Sequence, residues 1–151
     1  QFETVWPRTP SGKIDLSPQE LGTEPYRFQL TESRWPLAMI SPATSKTISS
    51  SMGEYNLPRL TVALHPDDAK ERAIESGSKV RVFNELGDVH CAARLDERVR
   101  PGVVVMAKGA WRKSSLNGST PTALCPDHLN VVANGACFND ARVEVELLPP
   151  T

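Results

Sequence analysis

Apolar and polar residues alternate most cleanly in two places. In Ser78 to Phe83, Val80 and Val82 face Lys79 and Arg81, which predicts a strand with one wet face. Asn84-Glu85-Leu86-Gly87 supplies a turn, and Asp88 to Arg94 runs back as the second arm of a hairpin. Ala141 to Leu147 alternates again and stops at Pro149-Pro150. Two other runs are continuously apolar, Trp35 to Ile40 before Ser41-Pro42 and Val103 to Ala107 after the turn Arg100-Pro101-Gly102, so both read as buried strands. A sixth short strand is expected at Lys13 to Leu16, behind a Pro-Ser-Gly turn. Helical character is confined to Pro66 to Glu75: Pro66 opens it, Asp67 and Asp68 fill its first turn, and Gly77 follows its end.

Some six short strands and one helix exclude a doubly wound α/β sheet, which needs more helices, and favour a small closed barrel. The chain has 151 residues, 39% of them hydrophobic, enough for one core. Of its 13 prolines, Pro7, Pro10, Pro18, Pro25, Pro36 and Pro42 lie in the first third, which is therefore expected to be extended. This divides the chain into residues 1–34, an extended segment and linker packing on the barrel, and residues 35–151, the barrel. An opening on Gln1 suggests a piece of a longer parent.

Charge narrows the partners. Seventeen Lys and Arg nearly cancel eighteen Asp and Glu, leaving a net charge of -1. There is no electrostatic reason to bind nucleic acid or anionic lipid, and a phosphate would have to be gripped by a local loop. No apolar run reaches the roughly 20 residues of a membrane span, and no membrane contact is expected. Cys91, Cys125 and Cys137 are odd in number and far apart, which points to a reducing, cytoplasmic setting by default rather than a disulfide framework, with export of the parent left open.

Two loops could carry chemistry. Ser41 to Ser51 is dense in hydroxyl groups and contains Lys46, and residues 109 to 122 are rich in Gly, Ser, Asn and Thr. Diphosphates present many acceptor oxygens and no donors, so converging hydroxyls, amides and cations suit them. A solvated Ser/Thr-rich turn would have the same composition.

Thr9 to Leu16 (TPSGKIDL), Ile40 to Thr44 (ISPAT), Pro66 to Asp88, Arg100 to Val105, Ala123 to Asp127 and Gly135 to Asp140 occur in an order that resembles the C-terminal, molybdopterin dinucleotide-binding domain of the dimethyl-sulfoxide-reductase family. The resemblance spans Phe2 to about Leu147. It implies a mainly β fold, a six-stranded double-psi β-barrel of the aspartate-decarboxylase-like kind with one or two short helices. It also implies a role over bis(molybdopterin guanine dinucleotide) carrying molybdenum or tungsten, with the N-terminal domains of the same parent polypeptide as partners. The cofactor contacts implied are Ser41, Pro42, Thr44, Lys46, Thr47 and Ser50 in the first loop. Gly109, Trp111, Thr122 and Asp127 follow in the second region, and Asn134, Phe138 and Asn139 in the last. The sequence departs from the family pattern at Ala43, Ser45, Ser49, Thr122 and Cys125, where larger or amide-bearing residues or a Thr are usual.

No residue here suits the redox step itself, and no cysteine quartet is present for an iron-sulfur cluster. The isolated piece is expected to hold no cofactor and to be inactive. Three alternatives carry less weight. Zinc would need four converging ligands from among Cys125, His128, His90, Cys91, Cys137 and His65, yet adjacent His90 and Cys91 point to opposite faces of a strand. Self-cleavage at Gly77-Ser78 or Gly118-Ser119 would make a pyruvoyl enzyme, but Gly-Ser is a common turn pair. A stand-alone protein-binding barrel would expose an apolar groove.

Overall fold

A computed structural model describes residues 3–19, 22–24, 32–130, 134–137 and 139–149. The chain divides into two units, residues 1–32 with 129–135, and residues 33–128 with 136–151. In the second unit six strands close into a barrel: β1 (Leu37–Ile40), β2 (Thr61–Leu64), β3 (Lys79–Phe83), β4 (Asp88–Leu95), β5 (Val103–Met106) and β6 (Ala141–Leu147). Their order around the barrel is β1-β5-β2-β4-β3-β6, with β6 pairing back to β1. Two pairings are parallel, β1 with β5 (Met39 opposite Val104) and β2 with β4 (Val62 opposite Ala93). The others are antiparallel, including the β3–β4 hairpin in which Val80 faces Cys91 and Val82 faces Val89. This is the expected six-stranded, mainly β barrel. Two short helices accompany it, α1 (Gly53–Asn56) and α2 (Pro66–Glu71).

The alternating strands bury the residues their pattern selects. Val80, Val82, Val89, Val104, Val143 and Val145 are each at most 1% exposed and fill the interior. Each such side chain contributes roughly 1.5–3 kcal/mol by leaving water. β2 breaks the alternation: Val62, Ala63 and Leu64 are all buried in succession, so both faces of this strand are covered. Thr-Val-Ala-Leu gave no strand signal because it does not alternate and its continuous apolar run, Val62 to Leu64, is only three residues long, shorter than those of β1 and β5.

Lys13 to Leu16 is not a strand. Gly12 (φ +66°) turns the chain with its amide on the Thr9 carbonyl, the Thr9 hydroxyl donates to the Lys13 carbonyl, and Asp15 accepts from the Ser17 amide. Local side-chain bonds have replaced a ladder, and Ile14 and Leu16 stay exposed.

Helix α2 is also shorter than its composition suggests. Its end is a left-handed cap at Ala73 (φ +54°), where the Ile74 amide reaches the Ala69 carbonyl and the Ala73 amide reaches that of Lys70. Burial of Ile74 holds this cap in place. Gly77 serves the following turn, its amide bonded to the Ala93 carbonyl. At the other end the His65 ring accepts from the Asp67 amide.

Past β4, Asp96 accepts bonds from the Arg98 and Arg94 guanidinium groups and from the Arg98 amide, which hold its carboxyl far below the usual carboxylate range. The unfolded chain therefore binds a proton at this residue near pH 4, where the folded chain does not. The stabilisation is complete at neutral pH and fades as the pH falls below about 4. Thermal melts across this range should show a shallower acid limb in Asp96→Asn than in the parent sequence. An unchanged limb would remove Asp96 from the account.

Candidate functional site

The loop after β1 is fastened at its base. The Ser41 hydroxyl donates to the Met106 carbonyl (3.0 Å), and the Ser41 amide donates to Asn139 Oδ1 (3.0 Å). The Lys108 amide then donates to the Pro42 carbonyl (3.1 Å), which carries the parallel β1–β5 pairing one step into the loops. Further along, the Thr44 and Thr47 hydroxyls bond each other (2.9 Å), Asn56 of α1 donates to the Lys46 carbonyl, and Ile48 and Ser51 exchange two backbone bonds around Ser49 (φ +51°).

The second loop lies directly against the first. Trp111 Nε1 donates to the Ser50 carbonyl (2.8 Å). Gly109 (φ +88°) is so close to the first loop that a Cβ there would lie 1.8 Å from the Ser49 carbonyl oxygen, and a Cβ on Gly53 would lie 2.1 Å from that of Gly109. Only hydrogen fits at both positions. The far end of the second loop is tied to β4: the Leu116 amide donates to the His90 carbonyl, and Asn117 joins the His90 amide and the Asp88 carboxylate. Burial pushes the Asp88 carboxyl up, but bonds and charge from Arg81 and His90 outweigh it and the net shift is downward.

Between these walls runs a cleft of about 270 Å³ lined by Ser41, Lys108, Gly109, Thr120, Thr122 and Cys125, among others. A second hollow of about 480 Å³ shares Ala110 and Thr120 with it and adds Ser50, Trp111, Arg112 and Lys113. The short 3-10 turn Pro121–Leu124 forms one wall and sends Leu124, fully buried, into the barrel core. Cys125 donates to the Pro121 carbonyl, and burial pushes its thiol up.

Although the whole chain is nearly neutral, the two loops carry Lys46, Lys108, Arg112 and Lys113 against Glu54. Lys113 pairs with Glu54 (2.9 Å), and Arg112 donates to the Gly118 carbonyl. Among the described residues Lys108 makes no ion pair and lines the cleft. The donor set is hydroxyls and an ammonium around a concave surface, which matches the chemistry of a phosphorylated heterocycle.

Of the residues expected from the sequence, Ser41, Gly109 and Thr122 line the first hollow, and Ser50 and Trp111 the second. Pro42 and Asn139 brace the rim through Lys108 and Ser41. Thr44, Lys46 and Thr47 lie in the first loop but line neither hollow. Asp127 is exposed and lines neither. Asn134 belongs to the other unit, with φ +51°, and Phe138 lies outside the described residues. Lys108, Ala110, Thr120 and Pro121 were missed; Lys108, immediately after the β5 run and before Gly109, could have been found by asking which cation a strand end delivers to the loop.

Of the residues considered for zinc from the sequence, His128 and Cys137 come together, beside Asp140, and Cys125, His90, Cys91 and His65 are not part of that cluster. Cys91 is buried, which raises its thiol to about 12, while neighbouring His90 is only partly buried and bonded to Asp88, and His65 caps α2. No helix among the described residues is long and apolar enough to cross a membrane.

The family model of the molydopterin dinucleotide binding domain matches residues 37–142. Dimethyl sulfoxide reductase DmsA of Escherichia coli is 31% identical over 130 residues, 68% of this chain and 16% of that protein. The probable oxidoreductase YoaE of Bacillus subtilis is 29% identical over 150 residues, 91% of this chain and 22% of that protein. The fold also matches acetylene hydratase from Pelobacter acetylenicus with a TM-score of 0.70 at 17% identity, covering 97% of this chain and 25% of that one. The chain thus spans about a fifth of the length of these relatives. On the match across residues 37–142, the chain belongs to the molydopterin dinucleotide-binding domain family.

Proposed function

We propose that this chain is the part of a larger molybdopterin oxidoreductase that grips the dinucleotide, holding pterin and pyrophosphate groups of bis(molybdopterin guanine dinucleotide) in the joined hollows. The observation that carries the reading is the meeting of the two loops, with Lys108 unpaired in the cleft between them. Lys108 would meet phosphate charge, the hydroxyls of Thr120 and Thr122 would donate to its acceptors, and Trp111 would offer a flat face. The bound cofactor, with molybdenum or tungsten, would supply the redox chemistry; this chain supplies binding and electrostatic surroundings. Alone it is inactive.

Four large apolar side chains support a partner on this side. Ile48, Met52, Tyr55 and Trp111 are 79%, 53%, 74% and 43% exposed, all on the two loops or α1. Apolar side chains left exposed beside the hollows are what a covering partner would bury, on this reading the N-terminal domains of the same polypeptide.

In the full-length oxidoreductase, Lys108→Ala should lower pterin and metal content, with Lys108→Arg restoring most of it. A lost charge-assisted bond is worth about 1.5–3 kcal/mol, roughly 10–100-fold in affinity. Trp111→Ala should act in the same direction. Ser50→Ala should act less, because Trp111 uses the Ser50 carbonyl rather than its hydroxyl. Full cofactor content in both Lys108→Ala and Trp111→Ala would refute the assignment.

A further inference from the structure

We infer that His128, Cys137 and Asp140 form a binding site for a divalent transition cation of the zinc type, separate from the dinucleotide cleft. One ligand atom from each residue lies within 4.8 Å of the other two, and His128 Nε2 stands 3.8 Å from Asp140 Oδ2. Around a tetrahedral zinc, ligand atoms sit roughly 3–4 Å apart, so small side-chain rotations close the triangle. The backbone holds the three residues together: the Cys137 amide bonds the His128 carbonyl (3.4 Å), and the Asp140 amide bonds the Cys137 carbonyl (2.9 Å).

The chemistry of the set is selective. Imidazole, thiol and carboxylate together suit zinc, cobalt or a similar borderline ion, whereas magnesium and calcium require oxygen donors. His128 and Asp140 are each more than half exposed, so a cation can reach the site from solvent, with water completing its coordination. A thiol beside a carboxylate is unfavourable once the sulfur ionises, and a divalent cation between them turns that repulsion into attraction. Metal entry releases the thiol proton to solvent as the sulfur-metal bond forms.

The site also has a defined place in the chain. His128 and Cys137 flank residues 129–136, so one ion bridging them closes the ends of that segment. Asn139, whose side chain accepts the Ser41 amide at the cleft rim, lies between Cys137 and Asp140. The metal would therefore brace the backbone that carries a rim contact, without touching the cleft.

Cobalt(II) titration of the 151-residue chain under a non-chelating reductant tests this directly. A sulfur-to-cobalt charge-transfer band should grow to one equivalent and be bleached by zinc. Cys137→Ser should abolish it, and His128→Ala should weaken binding beyond the roughly 10–100-fold that loss of an outer partner costs. Cys125→Ser should leave the band intact, and far-ultraviolet circular dichroism should confirm that each variant is folded. Absence of the band in the parent sequence, or its survival in Cys137→Ser, would overturn the proposal. The titration uses no dinucleotide, so it stands or falls independently of the cofactor reading.

Discussion

Gly109→Ala is expected to be the most damaging single-methyl change in the site. Its φ of +88° lies where an L side chain is strained, and the added Cβ would lie 1.8 Å from the Ser49 carbonyl oxygen and 2.7 Å from the Ser49 carbon. Both obstacles are main chain, so no rotamer change relieves them. Backbone strain alone costs about 1–3 kcal/mol, and forcing the loops apart adds to it, for about 3–5 kcal/mol in total. Gly53→Ala should act at the same contact from the opposite side, because its Cβ would lie 2.1 Å from the Gly109 carbonyl oxygen. Once one alanine has separated the loops, the second has less to disrupt, so the double variant should be less destabilised than the sum of the two. Denaturant midpoints of the four proteins check this, and strict additivity would mean that the loops are not packed as described.

Leu124→Ala carries the second large effect. Leu124 is fully buried in the barrel core, yet it belongs to the 3-10 turn whose Pro121 and Thr122 line the cleft. Truncation leaves a cavity and should cost about 2–5 kcal/mol. Two bonds help keep the turn in place: Asn84 donates to the Leu124 carbonyl and also to that of Arg142 on β6. The hollow should therefore persist in outline while the fold weakens. In the full-length protein, a large drop in melting temperature with a smaller loss of bound pterin is expected. Pterin loss without destabilisation would place Leu124 in the binding surface instead of beneath it.

Much of the barrel was legible because five strands either alternate or form compact apolar runs between turn residues, and Val80, Val82, Val143 and Val145 are buried as their period requires. β2 was not legible, since it lacks alternation and its apolar run, Val62 to Leu64, is too short to stand out as a buried strand. Lys13 to Leu16 misled for the opposite reason: it has the period of a strand, but side-chain bonds close it into a local turn. At the candidate site, hydroxyl density drew attention to the first loop and a composition rich in Gly, Ser, Asn and Thr to the second. What the sequence could not show is that many of these polar groups are spent on the scaffold. Thr44 and Thr47 satisfy each other, Ser41 anchors to Met106, and Asn139 holds Ser41. Lys108 escaped notice because a single lysine after a strand has no motif; it became visible only when the strand ends defined a cleft.

The glycine-to-carbonyl contact between the loops bears on how a large ligand could arrive. Walls in main-chain contact at Gly109 and Gly53 are held together at that point, so spreading them to admit a cargo would first have to break that contact. On the proposed reading, a cofactor would have to enter without spreading these walls, and the exposed side chains of Ile48 and Tyr55 would be covered only by polypeptide added afterwards.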